Sequence, residues 1–313
     1  MREPTMVGRA ELQPYDSYYG RPILKPPPWE ARDIAGYLFL GGLAGASALL
    51  AEGAALTGRP GLARAARAGA VGGAGLGTVA LIHDLGRPER FVNMLRVFKP
   101  TSPMSVGSFV LAPFTGLSVV AALSSATGRL PRIGRAAGVG AAALGAPLAT
   151  YTAALLSDTA VPAWHDGHRH MPYTFAGSAA SAAGGWGMLL APRAENAPAR
   201  AMALGGTALE AVTVELMKKR IGMTAEPYSR GRGGTLLQGA RVANGTAVAL
   251  SLVGGRSRVA AALAGTAYLM GSVLTRFGIF AAGIDSAKDP AYTVSPQRDR
   301  QRSTDPIGAP AAG

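Results

Sequence analysis

The chain has 313 residues, of which 48% are apolar and only 16% charged, with a net charge of +13 and no cysteine. A soluble chain carries about 25% charged residues, so the deficit points to lipid as the main solvent. The missing cysteine excludes disulfides, thiolate metal sites and an iron–sulfur cluster held by this chain. The basic residues are scattered between apolar runs rather than striped along one element, which argues against nucleic acid as a partner.

Residues 1–32 form a polar N-terminal tail with Pro26, Pro27 and Pro28 in a row. It holds no apolar core ahead of a small-residue cleavage site, so no cleavable signal peptide is predicted and the first membrane helix serves as the insertion signal. Eight apolar stretches follow, each about 20 residues long, enough to cross a hydrocarbon core of roughly 30 Å. They lie at 33–57, 65–82, 104–126, 135–156, 172–191, 198–217, 235–253 and 258–283. Turn chemistry separates them at 57–61, 127–131, 192–198 and at Gly254 and Gly255. Residues 284–313 are polar and are expected to form a disordered tail. The fold class predicted is an all-α integral membrane protein with eight transmembrane helices in a membrane domain spanning 33–283. The Ala/Gly/Arg bias suggests a bacterial genome, and so the bacterial cytoplasmic membrane.

Small residues recur at spacing four: Gly41 and Gly45, then Gly69, Gly73 and Gly77, then Gly134 and Gly138. Such stripes let helix backbones approach in lipid, where hydrophobicity gives helices no drive to associate. An even number of spans puts both termini on one side, face A. The four short loops of the other side, face B, carry almost only arginine: Arg59, Arg64 and Arg67; Arg129, Arg132 and Arg135; Arg193 and Arg200; Arg256 and Arg258. By the positive-inside rule face B is cytoplasmic and both termini are outside. Lys218, Lys219 and Arg220 on face A argue the other way.

All four histidines, His83, His165, His168 and His170, fall in face A loops. A membrane haem b needs axial histidines inside the helices, so no haem is expected. The three later histidines with Asp166 have ligand chemistry but no further converging group, and no metal site is predicted. Polar groups also gather where helices meet face A. Tyr151 and Asp158 stand at i, i+7 on the fourth span and share a helix face. Asp33 and Tyr37 are aligned at i, i+4 on the first. Trp29, Trp164 and Tyr173 are placed like interfacial anchors.

Between the second and third spans lies HDLGRPERFVNMLRVFKPTSPMS, residues 83–105, a loop dense in opposed charge and stiffened by Pro88, Pro100 and Pro103. Its run "DLGRPERF…NML…SPMS.GS" resembles the signature loop of the polysulfide-reductase membrane-subunit (NrfD-like) family. The likeness extends from "PPWEARDIAGYLFLGGLAGA" to "YTAALLSDTAVPAWH", is best in the first four spans and weakens beyond Tyr173. It implies two four-helix bundles side by side, here 33–156 and 172–283. It also implies an anchor of a multi-subunit oxidoreductase that binds quinone, menaquinone or ubiquinone, within the first bundle. The partners implied are an iron–sulfur ferredoxin-like subunit and a molybdopterin catalytic subunit, of the formate dehydrogenase or polysulfide reductase kind. By position, Tyr151 matches the family's fourth-span tyrosine. Where some members place a histidine at the start of the first span, this sequence offers Trp29, Glu30 or Asp33.

A quinone needs an apolar slot, hydrogen-bond donors at its carbonyls and a proton source. Tyr151, Asp158, His83, Asp84, Asp33, Tyr37 and Trp29 supply that set at the membrane rim. Arg87, Glu89, Arg90, Arg96 and Lys99 of the loop would then contact the iron–sulfur subunit. Charges inside spans are expensive and invite a functional hypothesis. Glu52 and Glu210 are candidates for a proton path, whereas Arg276 or Arg241 pairing with Glu210 or Glu215 would be structural. Two other functions fit a bundle of this kind. A secondary transporter would show matching broken helices in its two halves, but Pro113 and Pro147 have no counterparts later in the chain. A purely structural anchor would keep the fold with a degenerate quinone site.

Overall fold

The computed structural model describes residues 24, 27, 29–85, 89–254 and 257–295. Among them there is no strand. The helices in chain order are α1 (Ala31–Leu56), α2 (Pro60–Asp84), the short α3 (Glu89–Met94), α4 (Pro103–Thr127), α5 (Pro131–Ser157) and the short α6 (Pro162–Asp166). They continue with α7 (Met171–Leu190), α8 (Ala197–Ile221), α9 (Gly231–Gly254) and α10 (Arg258–Lys288), with 3₁₀ turns at Arg193–Glu195 and Gly222–Tyr228.

A long helix thus stands at each of the eight apolar stretches. Several start early, because proline at the first helical positions is pre-organised for a helix and has no N–H to leave unpaired; α2, α4 and α5 begin in this way. Ser102 and Ser257 cap α4 and α10 by accepting from the N–H groups of Ser105 and Ala260. Five helices, α1, α2, α4, α5 and α10, are long and apolar enough to cross a membrane. The other three long helices fall short of that measure: α7 is rich in Gly and Ser, α8 carries Glu210, Glu215 and its terminal Lys218, Lys219 and Arg220, and α9 carries Arg232 and Arg241.

The first helix is central. α1 packs against α2, α5, α7 and α10, while α4 lies on α5 and α2, α8 lies on α7, and α9 lies on α10. The crossing of α1 on α5 depends on two glycines: a Cβ on Gly45 would overlap the backbone of Gly145, and a Cβ on Gly145 that of Gly45. This is the close backbone approach that small residues permit in lipid. Gly73 meets α1 in the same way: a Cβ there would lie 2.8 Å from the Leu40 carbonyl oxygen.

Two sequence expectations need correction. The C-terminal tail does not begin at 284, because α10 continues to Lys288 and buries Ser286 and Ala287. The Ser286 hydroxyl accepts from the N–H of Ala163 on α6, which fixes this last turn. Farther on, Tyr292 donates to Glu226. Trp164 is not an interfacial anchor. It is fully buried, stacked on Trp29 with centroids 6.0 Å apart and tilted against Phe280 at 5.5 Å, and its indole N–H donates to the Ile279 carbonyl at 2.8 Å. A satisfied indole N–H is what lets so large a ring lie inside the protein. Tyr173, at 60% exposure, keeps a position suited to an interface.

Candidate functional site

Asp33 sits in the first turn of α1, where a carboxylate is favoured by the unpaired N–H groups of the helix start. It is buried, and its Oδ2 lies 2.8 Å from Nδ1 of His83, the penultimate residue of α2. The imidazole itself is largely exposed, at 74% of its side chain. Asp84 beside it faces the backbone N–H of Glu30. Together the two contacts clasp the end of α2 to the start of α1.

One turn into α1 from Asp33 is Tyr37, which is 1% exposed. Its hydroxyl meets the hydroxyl of Tyr151 on α5, and the two rings are edge to face with centroids 6.5 Å apart. Gly107 on α4 makes this possible, since a Cβ there would overlap the Tyr151 ring. Leu81, Leu111, Phe114 and Leu148 surround the pair with apolar side chains. Tyr37 is buried and Tyr151 only partly so, so Tyr151 presents the accessible edge. If Tyr37 donates to the Tyr151 oxygen, the proton of Tyr151 is free to be donated outward. From outside inward, the order is an imidazole, a carboxylate and two phenols.

The other site candidates stand apart from this cluster. Asp158 follows the last residue of α5, is exposed, and makes no hydrogen bond to Asp33, Tyr37, His83 or Tyr151 among the described residues. Helix periodicity put it on the Tyr151 face, but the helix ends before it. Trp29 stacks on Trp164 and has no ring contact with either tyrosine. Glu89, Arg96 and Lys99 are exposed on the loop, while Arg87 and the side chain of Arg90 lie outside the described residues. The loop's end is tied to α4, because Ser105 Oγ accepts from Lys99 N at 2.9 Å and donates to the Val97 carbonyl at 3.3 Å.

Glu52 pairs with Arg67 at 3.1 Å, and Arg67 also donates to Ser125 at 2.9 Å. Arg67, counted from sequence among the face B arginines although it fell inside the expected second span, lies within α2. Glu215 pairs with Arg241 at 2.6 Å, as one of the structural pairings allowed. Arg276 does not bond Glu210 directly. It is fully buried, donates to the Phe175 carbonyl at 2.8 Å and lies 3.7 Å from the centroid of the Phe175 ring. Glu210 instead accepts from Thr275 at 2.6 Å and Asn244 at 3.4 Å. Its partners share no residue with those of Glu52.

At face A the histidines of the α6 region serve the loop. His165 Nδ1 lies 3.1 Å from the Ser157 carbonyl, His168 Nδ1 lies 2.9 Å from that of His165, and Asp166 accepts from Thr224. Among the described residues no three His, Cys, Asp or Glu groups converge as metal ligands would. Tyr228, in the 3₁₀ turn packed beneath, donates to the Ala163 carbonyl at 2.9 Å. Burial pushes its phenol pKa up and Asp166 adds to the rise, so it remains a donor.

The helices and their apolar faces make this a multi-pass membrane protein. The family model of the polysulphide reductase NrfD matches residues 25–202, and the chain belongs to that family. The match carries past Tyr173 into the start of α8 and takes in Asp33, Tyr37, His83 and Tyr151. No curated protein matches the chain.

Proposed function

We propose that the protein is the quinone-reactive membrane anchor of a multi-subunit oxidoreductase, passing electrons between a docked iron–sulfur subunit and the quinone pool. The observation that carries this reading is the Tyr37–Tyr151 hydroxyl pair, linked one helical turn away to a buried carboxylate and an exposed imidazole. Two-electron reduction of a quinone takes up two protons, and the reverse reaction releases them. Tyr151 would hold a quinone carbonyl by donating its hydroxyl proton, with Tyr37 behind it fixing that orientation. His83 would exchange protons with face A, and Asp33 would pass them toward the phenols. The buried surroundings of Tyr37 strengthen its hydrogen bond with Tyr151.

In this reading all eight long helices cross the bilayer, as a first bundle of α1, α2, α4 and α5 and a second of α7 to α10. The loop from Glu89 to Lys99, with Arg87 and Arg90, docks the iron–sulfur subunit, and a molybdopterin subunit lies beyond it. Face B is cytoplasmic; a reporter fused at Gly313 that is active only outside the cytoplasm checks this, and a fusion active only inside reverses it.

The test of the site is quinone turnover by the assembled complex carrying Tyr151→Phe, Tyr37→Phe or both. Each substitution keeps the ring and removes a hydroxyl, a loss of about 0.5–1.5 kcal/mol, or roughly 2- to 10-fold in turnover. Reduction of the iron–sulfur partner by an artificial donor is unchanged. Normal quinone turnover in the double variant would remove the site and leave a structural anchor.

A further inference from the structure

A second polar arrangement lies beyond the tyrosine pair, in the later half of the chain. α8 and α9 barely touch each other; α8 leans on α7 and α9 on α10. The wedge between them is a cleft of about 370 Å³. Its walls are mostly apolar, from Val214, Leu237, Ala240 and Val248, with the exposed Glu215–Arg241 ion pair also in the lining; exposed Ala211 and Gly245 stand at its edge, so it opens sideways to the surroundings of the helices. At its inner end are Thr275 and Glu210, about midway along their helices.

Glu210 is 5% exposed, and only half of its carboxylate is satisfied. Oε1 accepts from Thr275 and Asn244, whereas Oε2 has no hydrogen-bond partner. Ser178 stands within hydrogen-bonding reach of the carboxylate, but its hydroxyl is engaged with Ser272 at 2.8 Å; Arg276 acts on Glu210 only electrostatically and donates to the Phe175 carbonyl. A buried acceptor without a donor is costly, so a ligand that supplies one is held and a ligand that offers a second acceptor is rejected. The space is in the range of small-molecule sites and takes an aromatic ring.

We infer that the α8/α9 cleft is a lateral binding site for a membrane-soluble molecule bearing an aryl hydroxyl, which donates to Glu210 Oε2 while its apolar body lies between Val214 and Val248. The reduced form of a quinone has this chemistry and the oxidised form, with carbonyls alone, does not. The site therefore selects the hydroxyl form. It shares no residue with the tyrosine pair and does not depend on electron exchange there. It also gives Glu210 a role other than the proton path expected from its position in the sequence.

The experiment uses the full chain in lipid nanodiscs and an alkylphenol carrying a diazirine on its tail, with the methyl ether of the same probe as the second arm. Peptides from α8 and α9 are expected to be labelled by the phenol, and unlabelled alkylhydroquinone is expected to compete. Labelling by the ether is expected to fall about tenfold, as is labelling of Glu210→Gln by the phenol, the loss expected for one buried hydrogen bond. Ala211→Trp, which fills the cleft from its exposed edge, is expected to abolish labelling and leave the interior intact. Equal labelling by phenol and ether would mean a groove for acyl chains only. Unchanged labelling in Ala211→Trp would place the probe elsewhere. Either result overturns the site, even where Glu210→Gln fails to fold. Both are read without quinone turnover, so they do not bear on the tyrosine pair.

Discussion

The two halves of the molecule bury ionisable groups in different ways. Around α1 and α5 a carboxylate and two phenols follow one another inward from an exposed imidazole. Around α8 to α10 the carboxylate of Glu210 lies midway along its helix, held by Thr275 and Asn244, with the Arg276 guanidinium turned toward Phe175. Among the described residues none of its hydrogen-bond partners is an exposed titratable group, and the exposed Glu215–Arg241 pair lines the same cleft without bonding Glu210. In the proposed reading it is the exposed group at the outer end, and not burial alone, that distinguishes a proton route. Polar groups inside a membrane protein serve stability, ligand recognition or proton transfer according to what they connect.

Three changes would break or sharpen this contrast. The largest effect is expected from Arg276→Ala, which removes a buried cation from between three helices and leaves Glu210 without positive charge nearby. A loss of about 3–5 kcal/mol is expected, as for other buried charges deprived of compensation. It is read as a fall in unfolding temperature in detergent. An unchanged temperature would mean that the later half does not rest on this residue. Next is Gly107→Ala. Its added methyl meets the Tyr151 ring and should destabilise by about 1–3 kcal/mol while slowing quinone turnover. Gly116→Ala, where nothing lies within 4 Å of the new carbon, is the control and should change neither. The smallest effect on folding is expected from His83→Gln. The unfolding temperature should hold, while quinone turnover loses the step in its pH profile contributed by an imidazole. Glu210→Gln should leave that step in place. A profile altered by Glu210→Gln but not by His83→Gln would reverse the assignment of the two halves.

The long helices were legible because apolar runs of this length have few other folds available, and proline and glycine mark their ends. The family was legible in the 83–105 loop and the first four spans. The alignment of Asp33 with Tyr37 followed from helix periodicity, but the meeting of Tyr37 with Tyr151 depends on Gly107, on a helix between them in sequence. Asp158 was misplaced because periodicity holds only while the helix lasts. Trp164 was misread because an aromatic ring near a helix end has the same sequence context whether it faces lipid or protein. Arg67 was counted with the loop arginines although the expected second span contained it, and nothing in the sequence showed its pairing with Glu52 on α1. Asn244, a polar residue in the middle of an apolar stretch, was a visible signal of the Glu210 cluster. Thr275 was not, since threonine is ordinary in such helices.

The position of α1 has a consequence for how the protein is made. This helix leaves the ribosome before α10, yet one of its faces is covered by α10. Gly42 marks the place: a Cβ there would lie 3.1 Å from Nη2 of Arg276 and 3.3 Å from the Ala179 side chain. Until α10 has been made, that face lacks its protein cover and the Phe175 ring lacks its guanidinium. A chain cut short before α10 would leave both surfaces bare, so α1 and α7 reach their final packing only once α10 has closed on them.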